Sequence, residues 1–97
     1  MSESKKVKTL IIVPTYDEVG NIRKLYLGIK KYAPDKHILF VDDNSTDGSQ
    51  EEIAEIIKKD ENVHILKRDK KMGLASAYRD GFSWGLERDY DWFQEMD

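Results

Sequence analysis

Ile38, Leu39, Phe40 and Val41 run without a polar break into Asp42-Asp43-Asn44-Ser45-Thr46-Asp47-Gly48. No other junction constrains the fold as much. Four consecutive apolar residues, most of them β-favouring, make a strand buried on both faces. Such a strand belongs in a parallel sheet covered by helices on either side. In open sheets of this class, polar ligands bind beyond the carboxyl ends of the strands, where Asp42 and Asp43 fall.

The rest of the chain fits the same frame. Residues 1–7 are a polar tail, and residues 8–13 are a first strand that Pro14, lacking an N–H, is expected to end. Ile22, Leu25 and Ile29 form the apolar stripe of a helix bounded by Pro34, with Asn21 or Asp17 as its cap. Ile53, Ile56 and Ile57 mark a second helix, with Asp47 or Thr46 at its cap and Lys58 and Lys59 at its end. Residues 63–66 form a third strand. Leu74, Ala77, Tyr78, Gly81, Phe82, Gly85 and Leu86 trace a third, long helix. Gly81 and Gly85 each cost helix propensity of ~1 kcal/mol relative to Ala, so a close approach of that face to the sheet is expected. Residues 91–96 have the length of a fourth strand. The fold class is therefore α/β with a mainly parallel sheet, β-α-β-α-β-α-β, joined by right-handed crossovers. Nothing follows the fourth strand to cover the sheet edge, so the chain is expected to be part of a larger unit or to self-associate, with Trp84, Trp92 and Phe93 partly interfacial.

Composition excludes several function classes. A net charge of −3 argues against a nucleic-acid partner. Cysteine is absent, which removes disulfides and thiolate metal sites. The sequence has no signal-peptide core and no apolar run of the ~18 residues that cross a bilayer, so a cytoplasmic location is expected. A P-loop, a dinucleotide fingerprint after the first strand and a G-x-S-x-G elbow are all missing. His37 and His64 read as ordinary strand histidines without partners, rather than metal ligands.

The polar set left at the strand ends is Pro14, Thr15, Tyr16, Asp17 and Glu18, then Asp42, Asp43, Asn44 and Ser45, then residues 68–71, then Asp97. An aromatic ring, fixed carboxylates and short hydroxyls suit a nucleoside. Tyr16 can lie against a base or ribose, and a carboxylate can accept from either. The basic loop, Lys71 included, can meet phosphates, and Asp97 can hold a divalent cation that neutralises them. The competing reading is that these side chains cap helices and solvate turns. That reading is even for Ser45 and Asp47 and preferred for residues 68–71, a solvated charge run. It explains the Asp42-Asp43 pair less well, because adjacent carboxylates repel and one turn rarely needs both.

Four motifs carry a family resemblance. Val13-Pro14-Thr15-Tyr16-Asp17-Glu18 with Asn21-Ile22 resembles the opening P-T-Y-N-E-x-x-N-I of family 2 glycosyltransferases. Val41-Asp42-Asp43-Asn44-Ser45-Thr46-Asp47-Gly48 is similar to their V-D-D-x-S-x-D-G. Lys71-Met72-Gly73-Leu74-Ala75-Ser76-Ala77-Tyr78 with Gly81-Phe82 resembles the K-x-G-L-x-x-A-Y-x-x-G-F of the dolichyl- and polyprenyl-phosphate mannosyltransferase branch. Glu95-Met96-Asp97 is similar to the lead-in to that branch's M-D-A-D metal motif. The resemblance spans residues 8–97 in order.

It implies the Rossmann-like N-terminal half of a GT-A fold, binding a nucleotide-sugar donor (GDP-mannose or a UDP-sugar) with Mg2+ or Mn2+. The acceptor would be a polyprenyl or dolichyl phosphate, at the cytoplasmic face of a membrane. By matching position, Pro14, Thr15, Tyr16, Glu18, Val41, Asp42, Asp43 and Asp97 would bind the nucleotide-sugar, and Asp97 the metal. The motif stops at its first acid, so residues 8–97 are expected to be a donor-binding half that is inactive alone. Asp17 departs from the family's usual Asn. Two other classes compete. One is a non-catalytic module that self-associates through the sheet edge. The other is a phosphoacceptor receiver domain, which also has an acidic pair at a strand end, but after its first strand rather than its second.

Overall fold

The computed structural model describes residues 8–69 and 73–96. Seven elements alternate: β1 (Thr9–Thr15), α1 (Asn21–Tyr32), β2 (His37–Asp42), α2 (Ser49–Lys59), β3 (Val63–Lys67), α3 (Leu74–Leu86) and β4 (Trp92–Glu95). The strands form one parallel sheet in the order β3-β2-β1-β4. The chain thus steps outward from β1 to β3 and then crosses back to the far side of β1. The strand order reverses between β1 and β4, the kind of position where open α/β sheets bind ligands.

The alternation of strand side chains divides the core in two. Ile11 and Val13 of β1 and Ile38 and Phe40 of β2 face α1 and α2, where they meet Ile22, Ile29, Ile53 and Ile56. Leu10, Ile12, Leu39 and Val41 face α3 and meet Ala77 and Tyr90. All eight of these strand side chains are essentially fully buried, each contributing roughly 1.5–3 kcal/mol by leaving water. The unbroken apolar run of β2 follows from being covered on both sides.

Pro14 does not end β1, which continues to Thr15 with Pro14 opposite Val41. Ile12 accepts the Met96 N–H on the β4 side and Thr15 accepts the Asp43 N–H on the β2 side. By alternation the missing N–H of Pro14 faces β4, past the last pairing of Ile12 with Glu95. Among the described residues no ladder bond is lost there. The two glycines of α3 have the cause expected of them. A Cβ on Gly81 would lie 2.7 Å from Ile12 Cγ2, and one on Gly85 would overlap the Phe93 ring. Backbone therefore packs directly on β1 and β4.

Two of the three aromatic residues expected at an interface are engaged within the chain. Trp84 packs against His64 and Tyr90, and Phe93 against Phe82. Trp92 remains 62% exposed. Among the described residues, no helix is long and apolar enough to cross a membrane.

The histidines do have a partner, against expectation. Tyr90 sits between them, its hydroxyl 2.6 Å from His37 Nδ1 and 3.5 Å from His64 Nε2. Their rings are 6.2 Å apart because β2 and β3 are neighbours in the sheet. Burial, then Lys8 and Lys30, lower the His37 pKa, with Asp60 and Glu61 opposing. Burial, then His37, Arg88 and Lys8, lower that of His64, with Asp60 opposing. The folded chain therefore resists protons that the unfolded chain takes up below its ordinary value of 6.5. Stability from this cluster is present above that value and is lost as pH falls toward the folded values. Denaturation midpoints should drop from pH 7.5 to 5.5. The H37N/H64Q double variant, which cannot take up the protons, should be flat over the same interval.

Candidate functional site

Two loops leave the carboxyl edge of the sheet side by side, after β1 and after β2, and they are interlocked. Four consecutive backbone N–H groups of the first loop donate to side chains from the second loop and α2. Asp17 N donates to Ser45 Oγ at 2.8 Å, Glu18 N to Ser49 Oγ at 2.8 Å, Val19 N to Asp47 Oδ2 at 3.1 Å and Gly20 N to Glu52 Oε1 at 2.9 Å. In return Thr46 N donates to Asp17 Oδ1 at 2.9 Å. Asp17 sits in the left-handed region at φ 50°, which Asp and Asn tolerate because a short polar side chain can bond locally. Either residue supplies the needed oxygen.

The local caps expected for α1 are therefore not used. Its N-cap is Gly20, without a side-chain cap of its own. Glu52 of α2 accepts the N–H groups of Gly20 and Arg23 instead, placing a carboxylate at the positive end of the α1 dipole. The N-cap of α2 is Gly48. Asp47, one residue earlier, accepts the Ser49 N–H and hydroxyl, and these bonds hold its carboxyl below the usual range.

Successive residues of an extended chain point to opposite sides, and this separates the acidic pair. Asp42 turns toward α2 and is fully buried. It accepts from Thr15 Oγ1 at 2.6 Å, Ser45 N at 2.9 Å, Ser45 Oγ at 2.7 Å and Gln50 Nε2 at 2.9 Å. Burial pushes its pKa up, but the bonds from Thr15, Ser45 and Gln50 outweigh burial and hold it below 3.8. Asp43 turns toward α3, where Arg68 Nε and Nη2 grip its two oxygens at 2.7 and 3.0 Å. The two carboxylates do not share a site, which leaves no shared acidic centre of the receiver kind.

Arg68 is the residue that sequence reasoning missed. Expected to be part of a solvated charge run, it is only 8% exposed. It also bonds Ser76 Oγ, Asp80 Oδ2 and the Gly73 carbonyl of the segment that begins α3.

Between these elements lies a cleft of about 300 Å³, at the lower end of the usual range for ligand pockets. One wall is Pro14, Thr15, Tyr16 and Glu18, the back is Asp43, and the other wall is Gly73, Leu74 and Ala77. Tyr16 is 44% exposed at its rim. The N-terminus of α3, whose described residues include no side-chain cap, carries positive dipole charge on the same side. Of the expected site residues, Pro14, Tyr16, Glu18 and Asp43 are thus brought together. Thr15 lines the cleft while its hydroxyl is bonded to Asp42, and Val41 and Asp42 are buried beneath the surface. Lys71 and Asp97 lie outside the described residues. Among the described residues no group of three or more His, Asp or Glu could hold a metal ion. Asp97, the residue expected at the Mg2+ or Mn2+ site, is not among them.

Residues 10–97 match the family described as glycosyl transferase family 2. The sequence is 42% identical over 91 residues to the polyprenol monophosphomannose synthase of Mycolicibacterium smegmatis, covering 93% of this chain and 34% of that protein. It is 40% identical over 77 residues to the dolichol-phosphate mannosyltransferase of Saccharomyces cerevisiae, covering 74% of this chain and 29% of that protein. The chain spans about a third of the length of such curated relatives. Among solved structures, the fold resembles the mannosyltransferase PcManGT of Pyrobaculum calidifontis, determined in complex with GDP-Man and Mn2+. The TM-score is 0.73 at 20% identity, over 84% of this chain and 25% of that one.

Proposed function

Because the chain belongs to glycosyl transferase family 2, we propose that residues 8–97 are the donor-binding part of an enzyme that moves mannose from GDP-mannose to a polyprenyl phosphate. One observation carries the reading: Pro14, Tyr16, Glu18 and Asp43, from two loops distant in sequence, converge on one cleft beside the start of α3. Tyr16 offers a flat apolar ring for a base or ribose. The Asp43 carboxylate accepts from a base N–H or a ribose hydroxyl. The α3 N-terminus favours the diphosphate end. The basic character of its loop gives Lys71 a phosphate contact, and the family resemblance gives Asp97 the sugar-diphosphate. In the complete enzyme an acceptor phosphate oxygen would form the new bond to the sugar's anomeric carbon. The bond from that carbon to the diphosphate would break, and GDP would leave.

A calorimetric titration of the chain with GDP, GDP-mannose and UDP, with and without Mn2+, tests this. GDP and GDP-mannose should bind about tenfold more tightly than UDP, a difference of about 1.4 kcal/mol. Equal or tighter binding of UDP would remove the mannose-donor assignment, and no binding of any nucleotide would remove the function.

A further inference from the structure

Arg68 is too fully engaged to serve as a ligand contact. A guanidinium has five N–H donors. Here Nε bonds Asp43 Oδ1, Nη1 bonds Ser76 Oγ at 2.7 Å and Asp80 Oδ2 at 2.9 Å, and Nη2 bonds Asp43 Oδ2 and, at 3.3 Å, the Gly73 carbonyl. All five donors are used within the chain. The Arg68 backbone is fixed as well, its N–H extending the β3–β2 ladder to the Asp42 carbonyl at 2.8 Å.

We propose that Arg68 is a positioning residue for the nucleotide cleft: one planar side chain sets the orientation of Asp43 and fixes the start of α3 against it. The inference rests on the nucleotide reading above. The Asp43 N–H donates to the Thr15 carbonyl at 3.1 Å, and the two parallel bonds from Arg68 define the plane of its carboxylate. The remaining three donors reach Gly73, Ser76 and Asp80, while Gly73, Leu74 and Ala77 form the facing wall. The spacing between the back of the cleft at Asp43 and that wall is thus set across a single guanidinium. Its positive charge also offsets that of Asp43, so an anionic ligand can approach a buried carboxylate. Lysine keeps the charge but lacks the planar fork.

The experiment compares wild type, Arg68→Lys and the S76A/D80A double variant. GDP affinity and the thermal midpoint are read separately, and the buried guanidinium N–H signals are followed by NMR. Wild type should show slowly exchanging Arg68 Nε–H and Nη–H signals. Arg68→Lys should weaken GDP binding by about tenfold or more, as expected when a binding group is displaced by a fraction of an ångström. The S76A/D80A variant alters half-buried positions and leaves the Arg68–Asp43 pair in place. It should retain the fold, lose protection of the Nη signals and weaken GDP binding about threefold or more. Wild-type affinity in Arg68→Lys would show that charge alone suffices and would overturn the proposal. So would wild-type affinity in the folded double variant. Should wild type bind no nucleotide, the donor-binding reading falls by itself. The guanidinium signals then decide the clamp: fast exchange in wild type removes it.

Discussion

Replacing Asp42 by Asn is expected to cost the chain about 3 kcal/mol of stability, because hydrogen bonds to a buried charged group contribute roughly 1.5–3 kcal/mol each and several are disturbed together. Four donors converge on this one carboxylate, from Thr15, from Ser45 twice and from Gln50. An amide offers one oxygen and presents an NH2 where the other acceptor was, so either the Ser45 and Gln50 N–H groups face a donor or the Thr15 and Ser45 hydroxyl protons lose their acceptor. The fall in the urea midpoint measures the cost. Asp35→Asn, on an exposed turn, should stay within about 0.5 kcal/mol. The pH dependence has a fixed sign. The folded-state pKa is held below 3.8, so the carboxylate's contribution is present above that value and fades as pH falls toward the folded one. Wild type should therefore lose its advantage over the Asn variant below about pH 4. An Asn variant as stable as wild type at pH 7 would mean that the loop does not depend on this carboxylate.

Gly85→Val should cost about 3 kcal/mol, the upper end of what overpacking a tight interior usually costs. The new Cβ would overlap the Phe93 ring and come within 2.9 Å of Leu10 Cδ2. Neither neighbour can withdraw without disturbing the β1–β4 side of the sheet. The helix must tilt instead, and its first turn is a wall of the cleft. Stability and nucleotide affinity should fall together in this variant. Gly28→Ala is the converse. No atom lies within 4 Å of the added methyl, so relief of the glycine penalty in α1 should stabilise the chain by about 0.5–1 kcal/mol. Chemical denaturation of both variants checks the opposite signs.

The elements were legible because their periods are clean. β2 reads as buried on both faces from four residues, and α3 from seven apolar or small residues at helical spacing. Even the separation of Asp42 from Asp43 follows from strand parity, since Asp42 shares a side with Phe40 and Asp43 with Val41. What was not legible depends on distant partners. The Arg68–Asp43 pair joins residues 25 apart, and nothing near Arg68 distinguishes it from the charges beside it. Glu52 caps α1 from another helix, although Asp17 and Asn21 were nearer in sequence. Local capping preference is weak enough for a well-placed tertiary carboxylate to override it. His37 and His64 lie 27 positions apart in sequence, yet parallel pairing of β2 with β3 brings their rings together.

The interlocked loops also bear on how such a chain can be recombined. Residues 17–20 have their amides satisfied by Ser45, Asp47, Ser49 and Glu52, so the shape of the first segment is encoded largely in the second. A graft that imported one segment from a homologue and kept the resident copy of the other would mismatch donors with acceptors. The two segments make a single exchangeable cassette, and chimaeras should respect it as one.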